Sequence, residues 1–252
     1  CKRVNTLRFC IPYTEMGEIT MEKYNLRSPF FVCNPKAYLY GEESLKLAKK
    51  CEELAVRYDV DILFTAQHVD LATIVKECPH LIVCAQAMES LKPGRGMGHI
   101  LPEALAAAGV KATFLNHAEN PMTINELAKT IERANEVGIL TVVCSNEEAD
   151  TRAIAMLHPD CMVCELTSLI GTGTTADESY MKATNDIVKS VSPQTKTLQA
   201  AGISTGEDVY KAIKSGADAT GGTSGIVAAK DPFAKLDEML EALDRARTDF
   251  YK

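Results

Sequence analysis

The fold is decided by residues 30–36, which read Phe-Phe-Val-Cys-Asn-Pro-Lys. A short apolar run that ends in a polar turn is typical of a buried parallel strand. Residues 42–56 follow with apolar positions at helical spacing, so the stretch opens a strand–helix unit. A dinucleotide-binding open sheet would carry Gly-x-Gly-x-x-Gly after its first strand, where this chain has Asn34-Pro35-Lys36. The stretch therefore favours a closed barrel over its rival, the doubly wound open sheet.

The same alternation continues outward along the chain. Seven more strands are predicted at 61–66, 81–85, 111–116, 139–144, 161–164, 197–201 and 217–221, each followed by a helical pattern. Thr123-Ile124-Asn125-Glu126 spells a capping box for the helix after the fourth strand, and Gly138 ends that helix. Eight such units predict an α/β protein with a single (β/α)8 barrel at residues 29–252. Residues 1–28 are interpreted as an N-terminal extension packed on the barrel or on a neighbouring subunit.

Composition limits the class of protein. The chain has 252 residues, 46% hydrophobic and 24% charged, which argues against disorder, coiled coil and fibre. No apolar run reaches the roughly 18 residues of a membrane span, and no signal-peptide core follows the first residues, so we expect a cytoplasmic protein. The net charge of −7, without a basic cluster interleaved with aromatic residues, makes nucleic acid an unlikely partner.

The nine cysteines are interpreted as reduced structural residues, because most lie within apolar runs. Cys161 and Cys164 have C-x-x-C spacing, but positions three apart on a strand point to opposite faces and do not chelate one metal ion. We expect no metal and no organic cofactor.

The ends of three predicted strands carry candidate catalytic side chains. They are Asn34 and Lys36 after the first strand, Asn116, His117 and Glu119 after the fourth, and Glu165 after the sixth. In a barrel these ends converge on one face. A carboxylate, an imidazole and an ammonium suit proton abstraction next to a carbonyl, with the imidazole polarising the enediolate and the ammonium anchoring an anion.

Three late loops are candidates for binding phosphate through backbone N–H groups. They are Ile170-Gly171-Thr172-Gly173, Ala201-Gly202-Ile203-Ser204 and Gly222-Thr223-Ser224-Gly225. Barrels commonly bind phosphate at their last units, so a phosphorylated substrate is expected.

At these residues the chain resembles the triosephosphate isomerase family, particularly its archaeal branch, from about Phe30 to Leu243. The matching motifs are Asn34-Pro35-Lys36, Asn116-His117-Ala118-Glu119, Glu165 with Ile170-Gly171-Thr172-Gly173, and Ala201-Gly202-Ile203-Ser204. This family is the usual worked example of pKa tuning, with a Glu base, a neutral His and a closing loop. The resemblance implies a TIM barrel in which Glu165 is the base, His117 the electrophile and Lys36 the electrostatic anchor. Asn34 and Glu119 would support them, and the N–H groups of Gly171, Ser204, Thr223 and Ser224 would hold phosphate.

The chain also departs from the family pattern. The family's Ser before the supporting Glu is Ala118, its basic pair after that Glu is Asn120-Pro121, and its proline after the catalytic Glu is replaced by Leu166-Thr167-Ser168. Gly221 and Gly222 stand in a strand that is normally apolar. Because glycine has no side chain, we expect the pocket wall to be thinner there and the pocket to be larger. The family's third loop reaches into a neighbouring subunit, and the matching residues 88–98 predict a homo-oligomer, a dimer or a tetramer.

Several functions remain open from the sequence. The leading one is interconversion of dihydroxyacetone phosphate and glyceraldehyde 3-phosphate, and a close rival changes the substrate to a longer phosphorylated ketose such as a tetrulose phosphate. A Schiff-base lyase needs a desolvated lysine at a strand end, whereas Lys36 lies in a loop. A non-catalytic phosphosugar-binding module would use the same backbone N–H groups.

Overall fold

The strands and helices form a closed barrel in the computed structural model, which describes residues 22–251. In chain order the elements are β1 (Phe30–Cys33), α1 (Gly41–Tyr58), β2 (Ile62–Ala66), α2 (Leu71–Glu77), β3 (Ile82–Ala85), α3 (Pro102–Ala107), β4 (Ala112–Leu115), α4 (Ile124–Val137), β5 (Leu140–Ser145), α5 (Glu148–Ala155), β6 (Cys161–Cys164), α6 (Glu178–Val191), β7 (Lys196–Gln199), α7 (Gly206–Lys214), β8 (Ala219–Gly222), α8 (Ser224–Val227) and α9 (Pro232–Phe250). Each strand pairs in parallel with the next, and β8 pairs in parallel with β1. The predicted (β/α)8 barrel is confirmed.

Alternation along the strands divides the core into two layers. Phe30, Val32 and Phe114 belong to the set that fills the barrel, whereas Phe31 and Phe64 pack among the helix residues outside it. Side chains of successive strand residues point to opposite faces, which produces this division. Cys161 accordingly lies in the inner layer and Cys164 in the outer one. The seven cysteines within the described residues are buried and free.

Local signals set the helix ends. Thr123 and Glu126 form the predicted capping box of α4, and Gly138 ends that helix in the left-handed conformation at φ 74°. Ile124, the first residue of α4, is 58% exposed, whereas Leu127, Ile131 and Ala134 of the same helix are buried. The short helix α8 and a single 3-10 turn at Thr167–Leu169 were not predicted. Elements of three or four residues are too short to show a helical period.

Barrel closure depends on Gly221. A Cβ atom at this position would lie 2.1 Å from the carbonyl oxygen of Val32, its register partner in β1. The glycine therefore lets two backbones approach closely. The extra pocket space that was expected where Gly221 lacks a side chain is therefore occupied by the backbone of β1.

The N-terminal end of the barrel is covered by residues 22–28. Leu26 is buried with the inner layer, Arg27 pairs with Asp61 at 2.8 Å, and Lys23 pairs with Asp160 at 2.6 Å. Both aspartates directly precede strands, so these contacts lie at the end opposite the loops that carry the predicted chemistry. Most of the predicted extension, residues 1–21, lies outside the described residues, and the interpretation of residues 1–28 stays a prediction. None of the helices described between residues 22 and 251 is long and apolar enough to cross a membrane.

Candidate active site

The predicted side chains meet at the C-terminal end of the barrel. A cavity of about 240 Å³ is lined by eight of the nine residues to which the family resemblance gives a role, namely Asn34, Lys36, His117, Glu119, Glu165, Gly171, Thr223 and Ser224. Val32, Phe114 and Val163 of the inner layer lie at its floor. A set of titratable groups above an apolar floor is the arrangement expected of a small-molecule site.

Lys36 provides the fixed cation. Its Nζ lies 2.6 Å from Oε1 of Glu119, and its side chain is only 15% exposed. The hydrogen bond from Lys36 is the main reason why the pKa of the Glu119 carboxyl lies below its usual range. Glu119 therefore remains ionised and keeps the ammonium directed toward the cavity.

The backbone at Lys36 is in the left-handed region, at φ 49°. Its N–H donates to Oδ1 of Asn34 at 2.9 Å, and the same oxygen accepts the hydroxyl of Thr65. Asn34 thus shapes the loop that presents Lys36 and also lines the cavity. A left-handed residue that is not glycine is costly, and such strain is characteristic of functional sites.

His117 is held as a neutral imidazole. The backbone N–H of Glu119 donates to its Nδ1 at 3.1 Å, and an N–H can only donate, so Nδ1 is the acceptor and Nε2 carries the proton. Burial, followed by the nearby Lys36 ammonium, lowers the pKa of His117 below its ordinary value. The ring can therefore donate a hydrogen bond through Nε2 without being charged.

Asn116 orients the loop that carries His117. It too is left-handed, at φ 56°, and its side chain donates from Nδ2 to the carbonyl of Cys144 and accepts the N–H of Met122, both at 3.0 Å. Its side-chain bonds thus tie the loop after β4 to β5.

Glu165 is the candidate base. Burial raises the pKa of its carboxyl above the ordinary value, with Lys36 opposing the shift and Glu119 adding to it. A carboxylate with a raised pKa is a stronger proton acceptor when it is ionised. Its backbone N–H donates to the carbonyl of Ser145 at 3.0 Å, which places it at the end of β6.

Residues 166–176 form a loop over the site. Ile170 and Gly171 line the cavity, and Gly171 and Gly173 are left-handed at φ 75° and 72°. At its start the N–H of Thr167 donates to Oδ1 of Asn146 at 2.8 Å. At its far end, a Cβ atom on Gly202 would lie 2.0 Å from the carbonyl oxygen of Thr174. The loop thus rests directly on the backbone of the loop after β7.

The predicted phosphate-binding positions divide into two groups. Gly171, Thr223 and Ser224 line the cavity, and the side chain of Thr223 makes no cap hydrogen bond at the start of α8. Ser204 is not among the lining residues. Its N–H donates to Oδ2 of Asp208 at 3.1 Å, beside the capping box that Thr205 and Asp208 form at the start of α7.

Sequence reasoning missed four polar residues around the site. Gln67 and Gln86 donate side-chain hydrogen bonds to the carbonyl oxygen of Lys36. The side chain of Asn146 accepts a hydrogen bond from the N–H of Thr167, and its backbone carbonyl accepts one from the hydroxyl of Tyr180. Gln67, Gln86 and Asn146 each directly follow a strand. Asn34 and Glu165 were chosen from that same position, so extending the criterion to every strand would have found the other three.

One family departure lies directly at the candidate base. Ala118 and Glu165 line a separate cavity of about 160 Å³ together with Cys144 and Thr167. A serine at this position would place a hydroxyl beside the cavity, and the alanine does not. Among residues 22–251, no cluster of three or more His, Cys, Asp or Glu side chains is arranged to hold a metal ion.

Comparison with known proteins identifies the family. The family model described as triosephosphate isomerase matches residues 29–237. The triosephosphate isomerases of Methanopyrus kandleri and Methanothermus fervidus are both 36% identical, over 225 and 217 residues, which cover 87% and 84% of this chain and 100% and 97% of those proteins. That of Sulfolobus acidocaldarius is 33% identical over 223 residues, or 86% of this chain and 95% of its own length.

Proposed function

The chain belongs to the triosephosphate isomerase family and is an isomerase that interconverts dihydroxyacetone phosphate and glyceraldehyde 3-phosphate, and we propose that the cavity at the C-terminal end of its barrel is where this reaction takes place. The observation that carries the proposal is the pairing of Glu165 with His117 in one cavity. The first has a raised pKa, and the second is a neutral imidazole with a free Nε2–H.

The proposed roles follow from the chemistry of an enediolate. Glu165 removes the proton from the carbon next to the carbonyl and returns it to the neighbouring carbon. The Nε2–H of His117 donates to the substrate oxygens as negative charge develops on them. Lys36, held by Glu119, attracts an anionic substrate throughout the reaction. No electrons enter or leave, because only protons change position between two adjacent carbons and their oxygens.

The substrate phosphate is assigned to backbone N–H groups at Gly171, Thr223 and Ser224. These residues lie on the cavity wall in the late units, and uncapped N–H groups at the start of a helix favour an anion. The same role was predicted for Ser204, whose N–H would first have to leave the carboxylate of Asp208. This assignment therefore rests on the other three positions.

The size of the site favours a triose over a tetrulose. The space expected at Gly221 is filled by the Val32 carbonyl, and a Cβ on Gly222 would lie 3.2 Å from the carbonyl oxygen of Ile203, so neither glycine opens free volume. One methylene is worth roughly 1–3 kcal/mol in a pocket, so a close-fitting site prefers its substrate by about 10–200-fold.

The test is a coupled assay of the purified chain with glyceraldehyde 3-phosphate and with tetrulose phosphates. We expect kcat/KM to favour the triose by about 100-fold or more. Equal or greater activity with a tetrulose would support the longer ketose, and binding without turnover would support a phosphosugar-binding module. Trapping of the substrate by borohydride would instead indicate a Schiff-base lyase.

Residues 88–98 support a proposed homo-oligomer, whether dimer or tetramer. Met97 in this loop is 100% exposed, and the following Gly98 is left-handed at φ 88°. A large apolar side chain exposed on a loop is well suited to insertion into a neighbouring copy. Light scattering at micromolar concentration should show an oligomer that Met97→Asp weakens, and a monomeric parent chain would contradict the proposal. The cytoplasmic location stays a prediction.

A further inference from the structure

We propose that Gln86 is a positioning residue for Lys36: it holds the left-handed backbone that directs the ammonium into the cavity. Nε2 of Gln86 lies 2.7 Å from the carbonyl oxygen of Lys36, although the two residues are 50 positions apart in the chain. The inference rests on the proposed function, because it matters only if Lys36 binds the substrate.

The conformation of Lys36 needs such support. For a residue with a Cβ the left-handed region is unfavourable, and it persists only where surrounding contacts fix it. Here both polar backbone groups of Lys36 are bound by side chains. The N–H donates to Asn34 and the carbonyl accepts from Gln86. Breaking either bond would allow the peptide to rotate, which would redirect the side chain away from Glu119.

A second amide fixes the orientation of Gln86. Nε2 of Gln67 donates to Oε1 of Gln86 at 3.0 Å and lies 3.4 Å from the same carbonyl oxygen of Lys36. Because Oε1 of Gln86 accepts this bond, its amide nitrogen faces Lys36. Gln67 directly follows β2 and Gln86 directly follows β3, so two strands of the barrel support the loop after β1.

We infer that Gln86 acts through Lys36 rather than on the substrate. It is absent from the described residues that line the candidate catalytic cavity, and it lines two neighbouring cavities, one of which Lys36 and His117 also line. A change at Gln86 should therefore affect only what Lys36 does. Because the ammonium attracts charge that the substrate carries before and during the reaction, the main effect should be on KM.

The test is a double-mutant cycle between Gln86→Met and Lys36→Met, measured as kcat/KM for glyceraldehyde 3-phosphate. Methionine matches the size of glutamine and removes the N–H donor. We expect Gln86→Met alone to lower kcat/KM about tenfold, mainly through KM, the scale of one lost hydrogen bond. In the Lys36→Met background the same change should cost less than about twofold, because the group that it positions is already gone.

Gln67→Met is a graded comparison, because Nε2 of Gln67 lies 3.4 Å from the Lys36 carbonyl oxygen, whereas Nε2 of Gln86 lies 2.7 Å from it. Its effect should be smaller than that of Gln86→Met and should also disappear in the Lys36→Met background. Gln86→Glu provides a second variant of similar size, which keeps an acceptor for Gln67 and offers no N–H to Lys36. Light scattering and thermal unfolding of each variant separate positioning from loss of assembly or of folding.

An equal loss for Gln86→Met in both backgrounds, or no loss in the parent chain, would overturn the inference. These outcomes differ from failure of the proposed function. If Lys36→Met itself leaves KM unchanged, the anchoring role is wrong, and if Lys36→Met raises KM while Gln86→Met has no effect, only the role of Gln86 is wrong.

Discussion

The two halves of the candidate site are built differently. In the first, which we call the anchoring half, the residues after β1 and β4 are cross-linked: Lys36 bonds to Glu119, the N–H of Glu119 bonds to His117, and Asn34 bonds to Lys36. In the second, the lid half, Glu165 is followed by residues 166–176, which have two left-handed glycines and an exposed surface. In the proposed mechanism the anchoring half presents fixed charges and dipoles, and the lid half carries the proposed base and the loop that would exclude water.

This difference matches the demands of proton abstraction. Electrostatic stabilisation works best when donors are preorganised, because no reorganisation is then needed as charge develops. A cover over the site must instead open for substrate and product. Changes in the anchoring half should therefore alter binding and transition-state stabilisation, whereas changes in the lid half should alter the chemical step or loop closure.

The largest effect is expected from Glu165→Asp in the lid half. Shortening the side chain withdraws the carboxylate, and a misplacement near 1 Å costs on the order of 100-fold. We expect kcat to fall by at least that factor with a smaller change in KM, measured by steady-state kinetics with the triose phosphate. Retention of more than half of the parent kcat would show that Glu165 is not the base.

His117→Gln tests the anchoring half at the point where charge develops. The lost donor should lower kcat by about 100-fold, the scale of one removed oxyanion donor, and leave KM nearly unchanged. A rise in KM without a fall in kcat would mean that His117 contributes to binding rather than to the transition state.

Lys36→Met should have a mixed effect, because its charge is felt by bound substrate and transition state alike. Loss of a charge-assisted hydrogen bond is worth roughly 1.5–3 kcal/mol, so kcat/KM should fall by about 10–100-fold with a clear rise in KM. Affinity for a phosphorylated enediolate analogue, measured by calorimetry, should fall with it. Unchanged affinity for the analogue would refute the anchoring role.

A matched pair of glycine substitutions, one in the lid half and one in the loop after β7 on which the lid rests, separates contact from strain. Gly202→Ala and Gly173→Ala both place a methyl group on a left-handed residue, at φ 70° and 72°. At Gly202 the methyl would meet the Thr174 carbonyl oxygen, whereas at Gly173 nothing lies within 4 Å. Left-handed strain alone costs roughly 1–2 kcal/mol. We expect Gly202→Ala to lower kcat severalfold more than Gly173→Ala, and equal losses would show that the contact with the lid is unimportant.

The smallest effect concerns the protonation of His117. Because its pKa is lowered from the ordinary value of 6.5, the imidazole should remain mostly neutral as pH falls through 6.5. Nitrogen-15 NMR of the ring should show the Nε2–H tautomer at that pH. In Lys36→Met the pKa of His117 should move back upward, because the Lys36 ammonium is, after burial, the second cause that lowers it. An imidazolium at pH 6.5 in the parent chain would contradict the neutral donor.

Much of the molecule follows from sequence patterns of short range. Alternation of apolar runs with helical spacing predicts the eight units, since each strand and helix is encoded by its own neighbours in the chain. The capping box at Thr123 and Glu126 follows from a spacing of three residues. Strand-end position and motif together bring eight of the nine chosen site residues to one cavity, because a barrel gathers the C-terminal ends of all its strands.

Only the tertiary structure decided which atoms meet across the barrel. The bond from Gln86 to Lys36, the Gly221 backbone against Val32, and the N–H of Ser204 on Asp208 depend on register and loop geometry rather than on composition. The same holds for the shifted pKa values, since burial and nearby charges come from residues far apart in the chain. A local pattern states which side chains reach the end of each strand, but the distances between them are set by how the strands close into a barrel.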